Sequence, residues 1–307
     1  MGATDRGVMT TLRFYKLHAA ANDFLVVVRP HPMPGDVSAA EALEAFEALD
    51  AASASALLDR HRGIGGDTLL ILNPGSEGAH CQMMQYEHDG SMAEMTGNGI
   101  RCLAYVADQL GLTENDQLIV DTPAGRRTVD IVRDPATGVM TYAWVAMGDA
   151  IFEPARIPVT GTQVEDLQTE FHDATYIGDA VGIGNPHLVN YVDDVDAVRV
   201  TAHGASMEHD PRFPNRANVH WVSVLAPDRI RMRTWERGVG PTLACGTGAT
   251  AAVAALHRRG RVGTHVVVEV PGGELQVEVG SPMRLGGPVV HVFTVDFDVE
   301  RLPRLGS

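Results

Sequence analysis

Short runs of apolar residues, separated by turns rich in Gly and Pro, recur along the first half of this chain. Runs in which apolar and polar positions alternate are typical of half-buried strands. A longer stretch rich in Ala, Leu and Glu, residues 39–60, predicts a helix, as does the apolar run that follows Gly99. The predicted strands of this half lie at 13–17, 24–28, 68–72, 81–86, 117–121, 127–132 and 141–146.

The second half repeats this order. Its helix follows Gly248, and its strands are predicted at 175–178, 187–192, 219–224, 229–234, 266–270 and 274–279. A Pro-Ala-Gly turn at 123–125 has a Pro-Gly-Gly counterpart at 271–273, so an internal duplication is the favoured interpretation. We expect an N-terminal half at 1–148, a C-terminal half at 149–288, and a strand within 289–307 that returns to the N-terminal half.

Two glycine-containing segments are near copies of each other, 149 residues apart. Thr96-Gly97-Asn98-Gly99 precedes the first helix, and Cys245-Gly246-Thr247-Gly248 precedes the second. Each predicts a helix N-terminus with unpaired backbone N–H groups, which is a natural site for an anion. The two halves can therefore present two helix ends to one cleft, and they differ in having a threonine in one and a cysteine in the other.

Composition narrows the classes of function. The net charge of −15 disfavours nucleic acid and anionic membranes as partners, and no apolar run is long enough to span a membrane. Lys16 is the only lysine and lies in a predicted strand, which argues against a pyridoxal-phosphate Schiff base. The three cysteines are irregularly spaced, so we expect no disulfide framework, no metal site and a cytoplasmic location.

Cys245 is the strongest candidate for chemistry. A thiol in the first turn of a helix is expected to have a pKa lowered toward neutrality, so that it can serve as a base or nucleophile. Glu236 and Arg237 end a predicted strand just upstream and can reach the same cleft. Cys81 and Cys102 fall in apolar elements and are interpreted as packing residues.

Seven motifs together resemble the diaminopimelate epimerase family. The resemblance implies two pseudo-symmetric α/β halves, each a barrel-like, mostly antiparallel sheet around a central helix. It also implies inversion at an amino-acid α-carbon without a cofactor, in which cysteines on the two helix ends act on opposite faces. The motifs are Ala21-Asn22-Asp23-Phe24, His61-Arg62-Gly63-Ile64-Gly65, Asp89-Gly90-Ser91, Gly97-Asn98-Gly99-Ile100-Arg101-Cys102, Gly184-Asn185-Pro186-His187 and Glu236-Arg237-Gly238, followed by Leu243-Ala244-Cys245-Gly246-Thr247-Gly248.

The resemblance also implies roles for single residues. Cys245 matches one catalytic cysteine, Glu236 the acid that supports it, and His187 the histidine paired with the other cysteine. The remaining matches are positions that bind a small amino-acid substrate: Asn22, Gly97, Asn98, Asn185, Asn218, Arg237, Gly246 and Thr247.

Three departures from the family pattern bear on function. Thr96 stands in place of the second cysteine, Glu87 in place of a substrate-binding asparagine, and Ala19-Ala20-Ala21 in place of a glycine-containing loop. A hydroxyl is too weak an acid to be a resting base, but Thr96, with His187 or a water, can relay a proton. Glu87 suggests a further cationic group on the substrate.

Three functions remain open from the sequence. The first is an epimerase or racemase of a diaminopimelate-like, diamino or dicarboxylic amino acid. The second is a dehydratase of a β-hydroxy amino acid, and the third is a catalytically impaired homologue that binds a ligand. A homodimer is possible for any of them.

Overall fold

Seven strands of the first half form a sheet around one helix. The computed structural model describes residues 11–31, 37–93 and 95–302. The strands pair in chain order, and only the β2–β3 and β4–β5 pairs are parallel. Their bounds are β1 Thr11–Ala19, β2 Asn22–Val28, β3 Thr68–Pro74, β4 Cys81–Glu87, β5 Gln117–Asp121, β6 Arg127–Arg133 and β7 Met140–Gly148.

The second half has the same succession of pairings. Neighbouring strands are antiparallel except at β10–β11 and β12–β14, the counterparts of the two parallel pairs above. This repetition of the strand pairings is the structural record of the duplication inferred from the sequence. The strands are β8 Leu167–Glu170, β9 Thr175–Gly182, β10 Pro186–Tyr191, β11 Asn218–Ala226, β12 Arg229–Glu236, β13 Gly240–Thr242, β14 His265–Val270, β15 Gly273–Glu278 and β16 Met283–Pro288.

A 13-residue helix lies at the centre of each half, α3 at Gly97–Gln109 and α5 at Gly246–Arg258. Helix α3 contacts β1, β2, β3, β4, β6 and β7, and α5 contacts β9, β10, β11 and β15. Both helices bury their apolar side chains in one hydrophobic core that extends through both halves. Because strands contact each helix from several sides, the position of the helix N-terminus is fixed relative to the sheet around it.

The two halves are joined by two strand pairings. Strand β16 pairs with β7 across the junction between the halves. The last strand, β17 at Val290–Asp298, returns to the first half and pairs with β1. The domain boundaries at residues 148 and 288 stay a prediction. The predicted segments also include residues 1–10 and 303–307, which lie outside the described residues.

The helix predicted at 39–60 is two helices, α1 Val37–Glu47 and α2 Ala51–Leu58. Asp50 caps the second helix by accepting a hydrogen bond from the Ser53 backbone N–H at 2.8 Å, which starts a new helix in the middle of the Ala-rich run. Both helices belong to a separate hydrophobic cluster on the outer side of β1–β3.

Among the described residues, four strands and α-helices were not predicted: β8, β13, β16 and the helix α4 at Val200–Glu208. They have little amphipathic pattern, because β16 contains two glycines and a proline and α4 contains a histidine and a glycine in its interior. The predicted fold itself, two pseudo-symmetric α/β halves with mostly antiparallel sheets around central helices, is confirmed.

Candidate active site

The N-termini of α3 and α5 meet at two glycines. A Cβ built on Gly97 would lie 3.6 Å from the Cα of Gly246, and a Cβ on Gly246 would lie 3.4 Å from the Cα of Gly97. Each would also come within 2.8 Å of Leu285 Cδ2, closer than carbon atoms pack. The two helix ends are therefore in contact with each other and covered by Leu285, and the preceding residues Thr96 and Cys245 lie at one junction between the halves.

Cys245 is the N-cap of α5, with an extended backbone, and is 4% exposed. Its Sγ lies 3.6 Å from Thr247 Oγ1 and within hydrogen-bonding reach of the Glu236 carboxylate. Burial, together with the negative charge of Glu236, raises the pKa of this thiol well above its ordinary value. The predicted lowering of the pKa is therefore wrong: the thiol is protonated at neutral pH, because burial outweighs the helix N-terminus.

Glu236 ends β12 and accepts a hydrogen bond from the Thr242 hydroxyl at 2.6 Å. Burial raises the pKa of Glu236, while its hydrogen bonds from Thr242 and Cys245 oppose that rise. A carboxylate with a raised pKa beside a thiol can accept the thiol proton without creating a second charge. Glu236 is therefore placed to turn Cys245 from an acid into a base.

Thr96 is the N-cap of α3 and has an extended backbone like that of Cys245. Its Oγ1 accepts a hydrogen bond from the Gly99 backbone N–H at 3.3 Å, whereas Cys245 makes no such capping bond. The capping bond uses an oxygen lone pair and leaves the hydroxyl hydrogen for another acceptor. Thr96 thus has a structural role that the cysteine lacks, and it keeps one donor for the cleft.

Glu87 ends β4, the strand that leads toward the Thr96 loop. One carboxylate oxygen accepts a hydrogen bond from the Thr68 hydroxyl at 3.0 Å, and the other lies 3.4 Å from Gln85 Nε2. Burial raises the pKa of Glu87 to about 7, and the negative charges of Glu236, Asp89 and Asp67 add to the rise. Among the described residues Glu87 forms no ion pair.

His187 is fully buried in β10 and both of its ring nitrogens are bonded. Nδ1 lies 2.9 Å from His220 Nε2, and Nε2 lies 2.7 Å from the Asn185 side-chain oxygen. Burial, with the charges of His220 and Arg237, lowers the pKa of His187 well below its ordinary value, so the ring is neutral. Within the described chain no hydrogen bond joins His187 to Thr96.

His220 was not predicted as part of the site. Its Nδ1 lies 3.0 Å from the Thr234 hydroxyl, so the two histidines form one buried row that ends at Asn185. The row is consistent with neutral rings in which each N–H donates toward Asn185. A Cβ at Gly248 would lie 2.2 Å from the His220 ring. Gly248 is therefore the one feature of the sequence that could have indicated a side chain packed against the start of α5.

Asn98 links the two halves. Its side-chain nitrogen is 3.2 Å from both the Asn22 side-chain oxygen and the Ala244 carbonyl. Arg101, which was not predicted, donates to the Asn98 side-chain oxygen at 2.9 Å and to the Gly97 carbonyl at 3.0 Å. Burial lowers the pKa of Arg101 to about 10. These bonds fix the loop in which Thr96 lies.

The other predicted binding residues are bonded mainly to the protein. Asn22 donates to Asp67 at 2.8 Å, and Asn218 donates to the Pro186 carbonyl at 3.2 Å while accepting from the Arg237 backbone N–H at 3.0 Å. The guanidinium of Arg237 is exposed and donates to the Asn215 carbonyl at 3.0 Å. Arg237 thus reaches the surface while its charge acts on the buried ring of His187, and its role in binding substrate stays a prediction.

Cys81 and Cys102 are buried, as predicted for packing residues, and burial raises the pKa of each thiol to about 12. In residues 11–31, 37–93 and 95–302, no group of three or more His, Cys, Asp and Glu side chains is arranged to hold a metal ion. Over the same residues, no helix has the length and apolar character needed to cross a membrane.

Comparison with known proteins identifies relatives over nearly the whole chain. The sequence model of the family described as diaminopimelate epimerase matches residues 14–152 and 179–290. The diaminopimelate epimerase of Moorella thermoacetica is 38% identical over 295 residues, which is 94% of this chain and 100% of that protein. The diaminopimelate epimerase of Heliobacterium modesticaldum is 39% identical over 287 residues, 92% of this chain and 98% of that protein.

Solved structures of distant proteins share the fold. A hydroxyproline epimerase from Agrobacterium vitis superposes with a TM-score of 0.68 at 17% identity, covering 94% of this chain and 93% of that chain. A predicted epimerase from Pseudomonas aeruginosa superposes with a TM-score of 0.63 at 17% identity, covering 93% and 99%. The family match and the close relatives together establish that the chain belongs to the diaminopimelate epimerase family and is an isomerase of the epimerase and racemase class.

Proposed function

We propose that this protein inverts the α-carbon of an amino acid without a cofactor, by removing a proton on one face and returning a proton on the other. Cys245, supported by Glu236, acts on one face. Thr96 stands at the other face, where its hydroxyl or a water relays the proton. The resemblance assigns His187 to that second face, although both of its ring nitrogens are bonded to other side chains.

The close approach of Gly97 and Gly246 is the observation that carries this proposal. It sets the N-termini of two central helices against each other. The backbone N–H groups at these ends favour a bound carboxylate and stabilise the negative charge that develops on it when the α-proton leaves. An amino acid held there by its carboxylate would have Cys245 on one side and Thr96 on the other.

The substrate belongs to the diamino or dicarboxylic amino acids, and diaminopimelate is the first compound to test because the relatives carry that name. The purified protein is incubated with meso-diaminopimelate and a panel of L-amino acids in deuterated water. Deuterium at the α-carbon, together with an inverted product, supports the proposal. Formation of an oxo acid would indicate a dehydratase instead, and the absence of exchange with every compound would indicate a binding protein.

A further inference from the structure

Glu87 and Glu236 occupy equivalent places in the two halves. Glu236 lies 149 residues after Glu87, and Cys245 lies 149 residues after Thr96. Glu87 is the last residue of β4 and Glu236 is the last residue of β12, and each of these strands leads to the N-cap of a central helix. The relation of Glu236 to Cys245 is therefore repeated, by position, in the relation of Glu87 to Thr96.

The environments of the two carboxyl groups are also alike. Each is bonded to one threonine hydroxyl, Glu87 to Thr68 at 3.0 Å and Glu236 to Thr242 at 2.6 Å. The negative charge of Glu236 contributes to the raised pKa of Glu87. Because the two residues end equivalent strands, Glu87 stands before the Thr96 loop as Glu236 stands before the Cys245 loop.

The Thr96 face needs a proton acceptor that threonine does not provide. A hydroxyl is far too weak an acid to be present as its anion at neutral pH, so Thr96 can pass a proton but cannot hold the charge. His187 is neutral, but both of its nitrogens are bonded within a buried row, and it shares no hydrogen bond with Thr96 in the described chain. Glu87 provides a carboxylate that can accept a proton, and it lies in the same half as Thr96, at the end of the strand that precedes the Thr96 loop.

We propose that Glu87 is the catalytic acid and base of the Thr96 face, taking the place of the thiol that is absent there. This inference rests on the proposed inversion at an α-carbon. The proposal explains two departures from the family pattern together. The half in which threonine replaces the catalytic cysteine at position 96 is also the half in which glutamate replaces asparagine at position 87.

The proton balance of the step is simple. The Glu87 carboxylate accepts the α-proton, directly or through the Thr96 hydroxyl, and the electron pair of the C–H bond passes into an enolate-like carbanion. Cys245 then gives its S–H proton to the opposite face, which leaves a protonated Glu87 and a Cys245 thiolate. The reverse reaction, or proton exchange with water, restores the starting state.

The electrostatics of the resting site agree with this order. A pKa of about 7 leaves a large share of Glu87 ionised at neutral pH, and a raised pKa keeps Cys245 protonated. One base and one acid are therefore present before the substrate binds, as a two-base inversion requires.

The test separates the two faces of the substrate. Glu87→Gln keeps the shape of the side chain and its bond from Thr68 but removes the base. We expect inversion to fall by about 100-fold or more. Exchange with deuterated water should survive only for the configuration whose α-hydrogen faces Cys245, and Cys245→Ala should leave exchange only for the other configuration. The pH profile should lose its ionisation near 7 for one configuration alone.

Glu77→Gln is the matched control, since Glu77 is an exposed loop residue of the same half, and it should leave both configurations unchanged. Glu87→Asn combined with Thr96→Cys should recover inversion about tenfold over Glu87→Asn alone. If Glu87→Gln instead raises KM equally for both configurations and leaves kcat intact, Glu87 binds a substrate cation and the inference is wrong. If the unaltered protein inverts no amino acid, the proposed function is wrong, and the inference that rests on it is wrong as well.

Discussion

Gly97 and Gly246 lie in contact, so that a Cβ built on either glycine would be 3.4–3.6 Å from the Cα of the other. The contact lies between the two halves. A Cβ at either position would fit against the other glycine at an ordinary distance, but it would lie 2.7–2.8 Å from Leu285 Cδ2, so Leu285 would have to move. The packing of Leu285 over both helix ends therefore depends on the absence of two Cβ atoms.

We expect Gly246→Ala to lower the free energy of unfolding by about 1–3 kcal/mol, because the buried Cβ would lie 2.7 Å from Leu285 Cδ2 and Leu285 has to shift within a packed core. Inversion should fall by more than the loss of folded protein explains, since small displacements of reacting groups are costly. Chemical denaturation and steady-state kinetics measure the two effects. Gly263→Ala is the control, because its nearest new contact is an ordinary 3.7 Å. Equal effects of the two substitutions would contradict the account.

Cys245→Ala should abolish inversion, with a loss of about 100- to 10,000-fold, because it removes the proton carrier of one face. Cys102→Ala is the matched control: its thiol is buried in α3 with a pKa of about 12 and is interpreted as a packing group. Chiral analysis of the product follows both variants. Near-normal inversion by Cys245→Ala would refute the assignment of the thiol.

Thr96→Ala should lower the free energy of unfolding by about 1 kcal/mol, because it removes the side-chain cap of α3. The loss of inversion should be larger than this change in stability accounts for, since the hydroxyl relay disappears as well. Thr96→Ser keeps both the cap and the hydroxyl and should retain most activity. Thermal unfolding and inversion rates measured side by side test this, and an active Thr96→Ala would show that the hydroxyl passes no proton.

Glu87 should also make stability depend on pH. Its folded pKa of about 7 lies above the ordinary 4.5, so the folded state holds its proton more tightly than the unfolded state does. Protonated Glu87 therefore stabilises the folded protein relative to the ionised form. This contribution is fully present below a pH of about 4.5 and is lost as the pH rises through about 7, which lowers the free energy of unfolding by up to about 3 kcal/mol. Glu87→Gln should flatten the unfolding free energy between pH 4.5 and 7 relative to the unaltered protein and to Glu77→Gln. Parallel pH curves for all three would contradict the buried position of the carboxyl group.

Most strands and both central helices could be predicted because the same order of apolar runs, turns and glycine-containing segments occurs in both halves. The central helices α3 and α5 were predicted in the right place, although they begin at Gly97 and Gly246, three residues before the predicted starts after Gly99 and Gly248. Strand β16 was missed because its two glycines and proline have poor strand propensity, and it is held in place by pairing with β7 and β15. Tertiary pairing of this kind leaves no local pattern in the sequence.

The motifs indicated candidate site residues, whose roles stay predictions, but they did not indicate the electrostatics of the site. The position of Cys245 at a helix N-terminus suggested a thiolate, but the effect of burial beside Glu236 is the larger one and cannot be read from the local motif. His220 and Arg101 were missed because a single His or Arg in an apolar element has no distinctive pattern. Their roles became clear only from their contacts with His187 and Asn98.

The pairing of β17 with β1 sets Thr11 opposite Asp298, so the beginning and the end of the described chain lie side by side. A short peptide could join them, and new termini could be opened in the loop between β7 and β8. Such a circular permutant would have the two halves in reversed order along the polypeptide while every strand kept its neighbour. The strand pairings themselves therefore do not require that the first half precede the second along the chain.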